Sequence, residues 1–181
     1  MLHLKNITAG NPKTAEQYQM TKRHSIVWLF SEDGKNWYEE QKNFASDTIK
    51  VAYTERGRVV WVGKDVTGIE PTNVSIIELP DITTNRRITA PGYWFYRDGN
   101  FIFDYKLKAE DERNALLQQA SSMTSEWEKD LLLGLISDED REKLKAYRIY
   151  AKSLQALDFS TIADKTSYNA IEWPVSPEAS S

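Results

Sequence analysis

The 181-residue chain contains no cysteine, which excludes disulfide frameworks, thiol nucleophiles, iron–sulfur clusters and thiolate zinc sites. Histidine is scarce too. His3 and His24 are the only two, far apart and beside Leu or Arg rather than in a ligand cluster, so both read as structural or surface residues. Positive charge is not in excess: 23 Lys and Arg against 27 Asp and Glu give a formal charge of -4. That balance argues against binding nucleic acid through its phosphate backbone. No apolar run reaches membrane-spanning length, and no charged segment followed by an apolar stretch opens the chain. Neither membrane insertion nor a signal peptide is expected, and a cytoplasmic location is. Catalytic signatures are missing as well: there is no Gly-x-Ser-x-Gly, Walker loop, Gly-x-Gly-x-x-Gly or His-Glu-x-x-His. No catalytic residue, metal or cofactor is assigned, and the chain is read as non-enzymatic.

What is present in quantity is aromatic side chains, 12% of residues including six Trp, despite a mean hydropathy of -0.58. They are unevenly placed. Fifteen of the 21 aromatics and seven of the eight Gly precede residue 108, where 14 Lys and Arg meet 13 Asp and Glu. After it the balance is 9 against 14. The shift predicts an α+β protein in which a β-rich domain at 1–107, built from hairpins into an antiparallel sheet, precedes an antiparallel helical hairpin at 108–157 and an irregular, proline-containing tail at 158–181.

Three hairpins are expected in the first region, each turning on a Gly-bearing segment. Ser25 to Phe30 runs through Glu32-Asp33-Gly34-Lys35 to Trp37-Tyr38; Ile49 to Thr54 runs through Glu55-Arg56-Gly57-Arg58 to Val59 and Gly63; Tyr93 to Tyr96 runs through Arg97-Asp98-Gly99-Asn100 to Phe101 and Tyr105. Asn73 to Leu79 adds a strand that Pro80 closes. Asn11-Pro12-Lys13-Thr14 reads as a turn, and Ala15 to Lys22 as either helical turns or an extended segment.

From Lys108 the period changes. Leu116, Ala120, Met123, Trp127 and Leu131 recur at helical spacing, Gly134 is a stop, and Ser137 before Asp138-Glu139-Asp140 is a start. Leu144, Tyr147, Ala151 and Leu154 then repeat on one face. The two helices should be about 39 Å and 27 Å long. The acidic triplet is explained by the helix N-terminus rather than by a metal. Paired Glu39-Glu40 points to divergent directions in strand or helix and makes no glycosidase pair. The last residues of the tail are expected to be mobile.

Trp28, Trp37, Trp61 and Trp94 fall in strand-like runs, and two uses are open to them: core packing, or an interface, which Trp, Tyr and Arg anchor preferentially. Arg86-Arg87 sits in a polar, loop-like setting, either paired internally or solvated, or serving as a bidentate anchor for a partner's carboxylates.

One set of residues carries a resemblance. Asn11-Pro12-Lys13-Thr14, Gln17-Tyr18, the run from Ser31 to Glu40 (Ser-Glu-Asp-Gly-Lys-Asn-Trp-Tyr-Glu-Glu), Asn43-Phe44, Asp47-Thr48-Ile49-Lys50, Pro80-Asp81-Ile82-Thr83, Asn85-Arg86-Arg87 and the ending Trp173-Pro174 with Pro177 resemble the tail fibre assembly proteins of Mu-like and lambda-like phages and prophages. Tyr168 to Ile171 departs from the Mu-type pattern. The resemblance implies a chaperone in the host bacterial cytoplasm that binds the C-terminal, receptor-binding tip of a trimeric tail fibre and promotes its folding and trimerisation, remaining on the virion in some members. It implies that the β-rich domain grips the fibre; Trp37, Tyr38, Arg86, Arg87 and Trp94 are the candidate contacts within it. A carbohydrate-binding module for host lipopolysaccharide is the alternative use of the same rings, and self-association is a further expected property.

Overall fold

An interior strand of the sheet, β3 (Thr48–Thr54), is buried through its five middle residues, although a strand with one wet face would alternate. The reason is that both faces of the sheet are covered. In the computed structural model, which describes residues 1–180, the chain divides into two compact units, Met1–Phe103 and Asp104–Ser181.

In the first unit β3 pairs antiparallel with β4 (Val59–Gly63) and β5 (Val74–Pro80), β5 with β1 (His3–Gly10), and β1 with β2 (Trp28–Phe30), so the five strands run in the order β2-β1-β5-β3-β4. Partners in register form rows. Leu4, Ile76, Ala52 and Trp61 lie across four strands on one face, where Ile7, Leu29, Val66 and Trp37 complete the core. Ile77, Val51 and Val62 form the neighbouring row on the other face, with Ile49, Tyr53 and Ile88. A two-stranded ribbon of β6 (Trp94–Arg97) and β7 (Asn100–Phe103) covers this second face through Trp94, Tyr96 and Phe101. Tyr53 and Tyr96 stack with centroids 4.6 Å apart. Gly57 locks the ribbon in place: at φ +82° it turns the β3–β4 hairpin while its carbonyl accepts the Tyr96 N–H at 2.8 Å.

Two of the three expected hairpins form, β3–β4 and β6–β7, the latter with Asp98 and Gly99 both at positive φ as a tight primed turn requires. The first does not. After the Gly34 turn, Asn36 caps a short helix α2 (Trp37–Glu40), its side-chain oxygen accepting the Tyr38 N–H at 2.9 Å. Glu39 and Glu40 suit the positive end of that helix, so Trp37-Tyr38 is helical rather than extended. β2 takes β1 as its partner instead. Sequence patterning also misses β1, because a bulge with Asn6 at φ 46° lets Leu4 and Ile7, three apart, both face the core. Residues 15–24 settle as a helix, α1 (Ala15–His24), with the Thr14 side chain accepting the Gln17 N–H. The Trp28 indole N–H donates to Thr21 Oγ1 at 2.8 Å and ties α1 to β2.

A polar knot sits inside this sheet. Lys50 and Glu78 face each other across β3 and β5 and are almost wholly buried. Glu78 accepts hydrogen bonds from the Leu2 N–H (3.0 Å), the Ala45 N–H (2.7 Å) and the Thr48 hydroxyl (2.8 Å), while the Lys50 ammonium donates to the Ala45 and Thr48 carbonyls. One carboxylate thus ties the chain start, the loop before β3 and β5 together.

The second unit is a pair of antiparallel helices, α3 (Tyr105–Leu133) and α4 (Asp138–Gln155). Asp104 and Ser137 cap their starts, and Gly134, at φ 73°, ends α3 with the Leu135 N–H bonded back to the Asp130 carbonyl. Ala120, Tyr147, Tyr150 and Leu154 form its buried core, packed by Leu116, Leu117 and Trp127. The expected α3 stripe is rotated: Thr124 is buried, while Met123 and Leu131 lie at the surface. In α4 the buried set includes Tyr150, which the expected repeat omitted in favour of Ala151. The segment read as an irregular tail has structure of its own. A short helix α5 (Lys165–Asn169), capped by Asp164, is followed by Trp173, which stacks on Phe159 with centroids 5.8 Å apart and joins the helical core. Ser181, at the end expected to be mobile, lies outside the described residues.

Burial alone would raise the Glu78 carboxyl, but its three hydrogen bonds and the Lys50 charge outweigh burial and hold it below the ordinary value. A carboxyl made more acidic by folding stabilises the native state above its unfolded range and loses that contribution as pH falls through its folded range. Glu78→Gln should therefore destabilise the protein by about 1.5–3 kcal/mol at pH 7. Denaturant titrations should show the deficit shrinking on acidification below about pH 4; a pH-independent deficit would contradict the assignment.

Candidate interaction surfaces

The residues expected to contact a partner separate once folded. Trp37, on α2, is 1% exposed and packs with Leu4, Leu29 and Ile76, its ring 6.2 Å from that of Phe44. It is core, because the Asn36 cap turns the first residue of the helix inward. As a contact in the folded protein it is withdrawn. Tyr38, the next residue, points the other way at 45% exposed, its hydroxyl donating to the Val27 carbonyl at 2.9 Å and its ring edge-on to Trp28 at 5.8 Å.

Arg86 and Arg87 lie in a 3-10 turn, Asn85–Arg87, shortly after β5. The internal ion pair is the reading that Arg86 fulfils: its Nε reaches Asp81 Oδ1 at 2.7 Å, and Lys64 reaches the other oxygen of the same carboxylate at 2.7 Å. The Arg86 and Lys64 hydrogen bonds hold the Asp81 carboxyl down to about 2. Arg86 is consequently committed within the loop. Arg87 is exposed and makes no ion pair or side-chain hydrogen bond among the described residues. Trp94, on β6, is half-buried against Ile49, Val51 and Ile88, with Phe103 edge-on at 5.5 Å. The set does not form one constellation: Trp37 belongs to one face of the sheet, and Trp94 to the other.

Around Tyr38 the structure assembles something the sequence did not announce. Met20 from α1, Ile26 and Val27 from the connection, Trp28 from β2 and Tyr38 line an open, largely apolar hollow of about 420 Å³. Val27, at 60% exposed, stands at its rim. Three chain segments separated by up to 18 positions meet there, which is why no local motif marks it. The helical unit carries the other surface missed by the sequence reading. Leu132, Leu133 and Leu135, at the turn between α3 and α4, are 86%, 70% and 72% exposed. Soluble surfaces rarely cluster apolar groups this way without a binding role.

Of the six Trp, Trp28 and Trp37 are buried and Trp61, Trp94, Trp127 and Trp173 are half-buried. Among the described residues no group of three or more His, Asp or Glu could hold a metal ion, and no helix is long and apolar enough to cross a membrane. His3 accepts or donates a 2.6 Å hydrogen bond with the Tyr53 hydroxyl; burial, followed by the charge of Lys5, pushes its pKa down. It is part of the packing of the aromatic face.

The first unit thus carries an apolar surface hollow, and the second is an acidic helical hairpin. Comparison with known proteins gives the class. The family described as Caudovirales tail fibre assembly protein, lambda gpK, matches residues 39–178. The chain is 47% identical over 168 residues to tail fiber assembly protein U' of Escherichia phage Mu, an alignment covering 90% of this chain and 95% of that one. It is 40% identical over 184 residues to tail fiber assembly protein U of the same phage, and 39% identical over 184 residues to a probable tail fiber assembly protein of Escherichia phage P2, each covering 98% of this chain and all of the relative. The chain belongs to the tail fibre assembly family.

The division of labour between Trp37 and Tyr38 is testable on the isolated protein. Trp37→Ala should cost about 3–5 kcal/mol of folding stability, the range for removing a buried large aromatic. Tyr38→Ala should cost about 1 kcal/mol or less, as for an exposed position. Equal losses in chemical denaturation would contradict the placement.

Proposed function

We propose that this protein is a tail fibre assembly chaperone that binds the distal, receptor-binding tip of a trimeric phage tail fibre and promotes its folding and trimerisation in the host bacterial cytoplasm. The observation that carries the reading is family membership over most of the chain, since tail fibre assembly is the role named for its relatives. The physical task suits the surfaces described. An intertwined β-rich tip leaves apolar strand edges open until three chains meet, and such edges aggregate. A rigid partner that covers them shifts the equilibrium toward the folded tip by binding alone, so neither nucleotide nor catalysis is required. The first unit supplies the grip. Tyr38 with Met20 and Val27 offers an apolar and aromatic contact, Arg87 offers a guanidinium with no internal partner, and the half-buried Trp94 adds a ring edge. Arg86 contributes by holding the loop through Asp81. Retention on the virion follows where the complex dissociates more slowly than particles are completed.

Co-expression with the cognate fibre tip should convert an insoluble or monomeric tip into a soluble trimer that co-elutes with the chaperone on size-exclusion chromatography. Tyr38→Ala combined with Arg87→Ala should lower the yield of soluble trimer while leaving the chaperone's own melting temperature nearly unchanged. A tip that trimerises equally well alone and forms no complex would overturn the proposal.

A further inference from the structure

The helical unit has a groove that its own fold leaves open. It is about 580 Å³ in volume and runs between α3 and α4, with Met123, Trp127 and Tyr147 among the residues at its floor. That size accommodates one or two bulky side chains. Met123 is 41% exposed there and is adaptable in shape, and Trp127 offers an aromatic surface, suited to receiving a side chain from outside. The apolar strip extends one helical turn further, to the surface residue Leu131.

The rim is acidic. Glu139, Glu142 and Glu178 line the groove, and its one cation, Lys143, is engaged with Glu139 at 2.6 Å and with Asp140 at 3.7 Å. Among the described residues Glu142 is paired with Lys145, at 3.6 Å with both side chains largely exposed, and Glu178 is hydrogen-bonded to the Tyr147 hydroxyl. The helix N-terminus accounts for Asp138, Glu139 and Asp140 but not for Glu142, beyond the first turn, or for Glu178, which comes from the chain end. Residues 104–181 hold 15 Asp and Glu against 10 Lys and Arg, so the rim stands in a negative field rather than a compensated one.

We infer that this groove docks a basic polypeptide segment of a partner protein, in which one bulky apolar residue enters over Met123 and Trp127 while flanking Lys or Arg side chains pair with Glu142 and Glu178. Charge complementarity selects this occupant. Two copies meeting through this face would oppose acidic rims, and an anionic lipid surface would be repelled by the same carboxylates. The inference concerns the second unit and does not depend on the fibre-grip reading of the first.

The test uses the full chain and two synthetic peptides, acetyl-Lys-Arg-Phe-Leu-Arg-Lys-amide and its charge-reversed counterpart acetyl-Glu-Glu-Phe-Leu-Glu-Glu-amide, titrated calorimetrically at low and high salt. The basic peptide should bind saturably and weaken as salt rises; the acidic one should not bind. Glu142→Gln with Glu178→Gln should weaken binding roughly tenfold, the scale of two exposed ion pairs. Met123→Ser, at a surface position, should weaken it further without lowering the melting temperature. The inference is overturned if the basic peptide fails to bind, if both peptides bind alike, or if neither variant changes the affinity. A concentration-dependent dimer abolished by Met123→Ser would overturn it too, by making a second copy the occupant.

Discussion

The pairing of β3 with β5 is the constraint on which the first unit depends, because its residues must serve two cores at once. Val51 and Ile77 face the ribbon; Ala52 and Ile76 face Trp37 and Leu4. A one-residue slip would exchange the two sets and put Lys50 and Glu78 among apolar neighbours, leaving three hydrogen bonds to Glu78 unmade. With both faces packed, the apolar hollow beside β2 and the exposed Arg87 after β5 lie at the margins of the sheet.

That constraint changes the meaning of the run from Ser31 to Glu40, which carries the family resemblance. Most of it is architecture. The Ser31 hydroxyl bonds to Asp33, Gly34 turns the chain at φ 83°, Asn36 caps α2 and Trp37 fills the core. Tyr38 is the aromatic member delivered to the surface, and it is presented rigidly because the residue before it is anchored. The same logic applies at Arg86 and Arg87, where one guanidinium is tied to Asp81 and its neighbour is left outward.

Much of the architecture was legible in sequence where one local signal decides. Asp98-Gly99 needs positive φ, Pro80 ends a strand, Gly134 stops a helix and Ser137 starts one, and each does so in the structure. The failures share a cause, in that a tertiary partner decided. β1 hides because its bulge breaks the alternation, α2 because a cap outranks the β propensity of Trp-Tyr, and the rotated stripe of α3 because Thr124 rather than Met123 packs inward. The candidate site was less legible than the fold. Trp and Tyr composition pointed to the first unit, but exposure separates Trp37 from Tyr38, and no composition distinguishes them. The hollow around Val27 and the groove at Met123 are each assembled from separate segments, so neither leaves a motif.

The central claim is that the β-rich unit, through its margins, holds a fibre tip. Hydrogen–deuterium exchange on the full chain, with and without the trimeric tip of its cognate fibre, tests this most directly. Slower exchange on binding at residues 18–38 and 81–87, with the buried strands unchanged, is the predicted result. Protection confined to residues beyond 104 would contradict it.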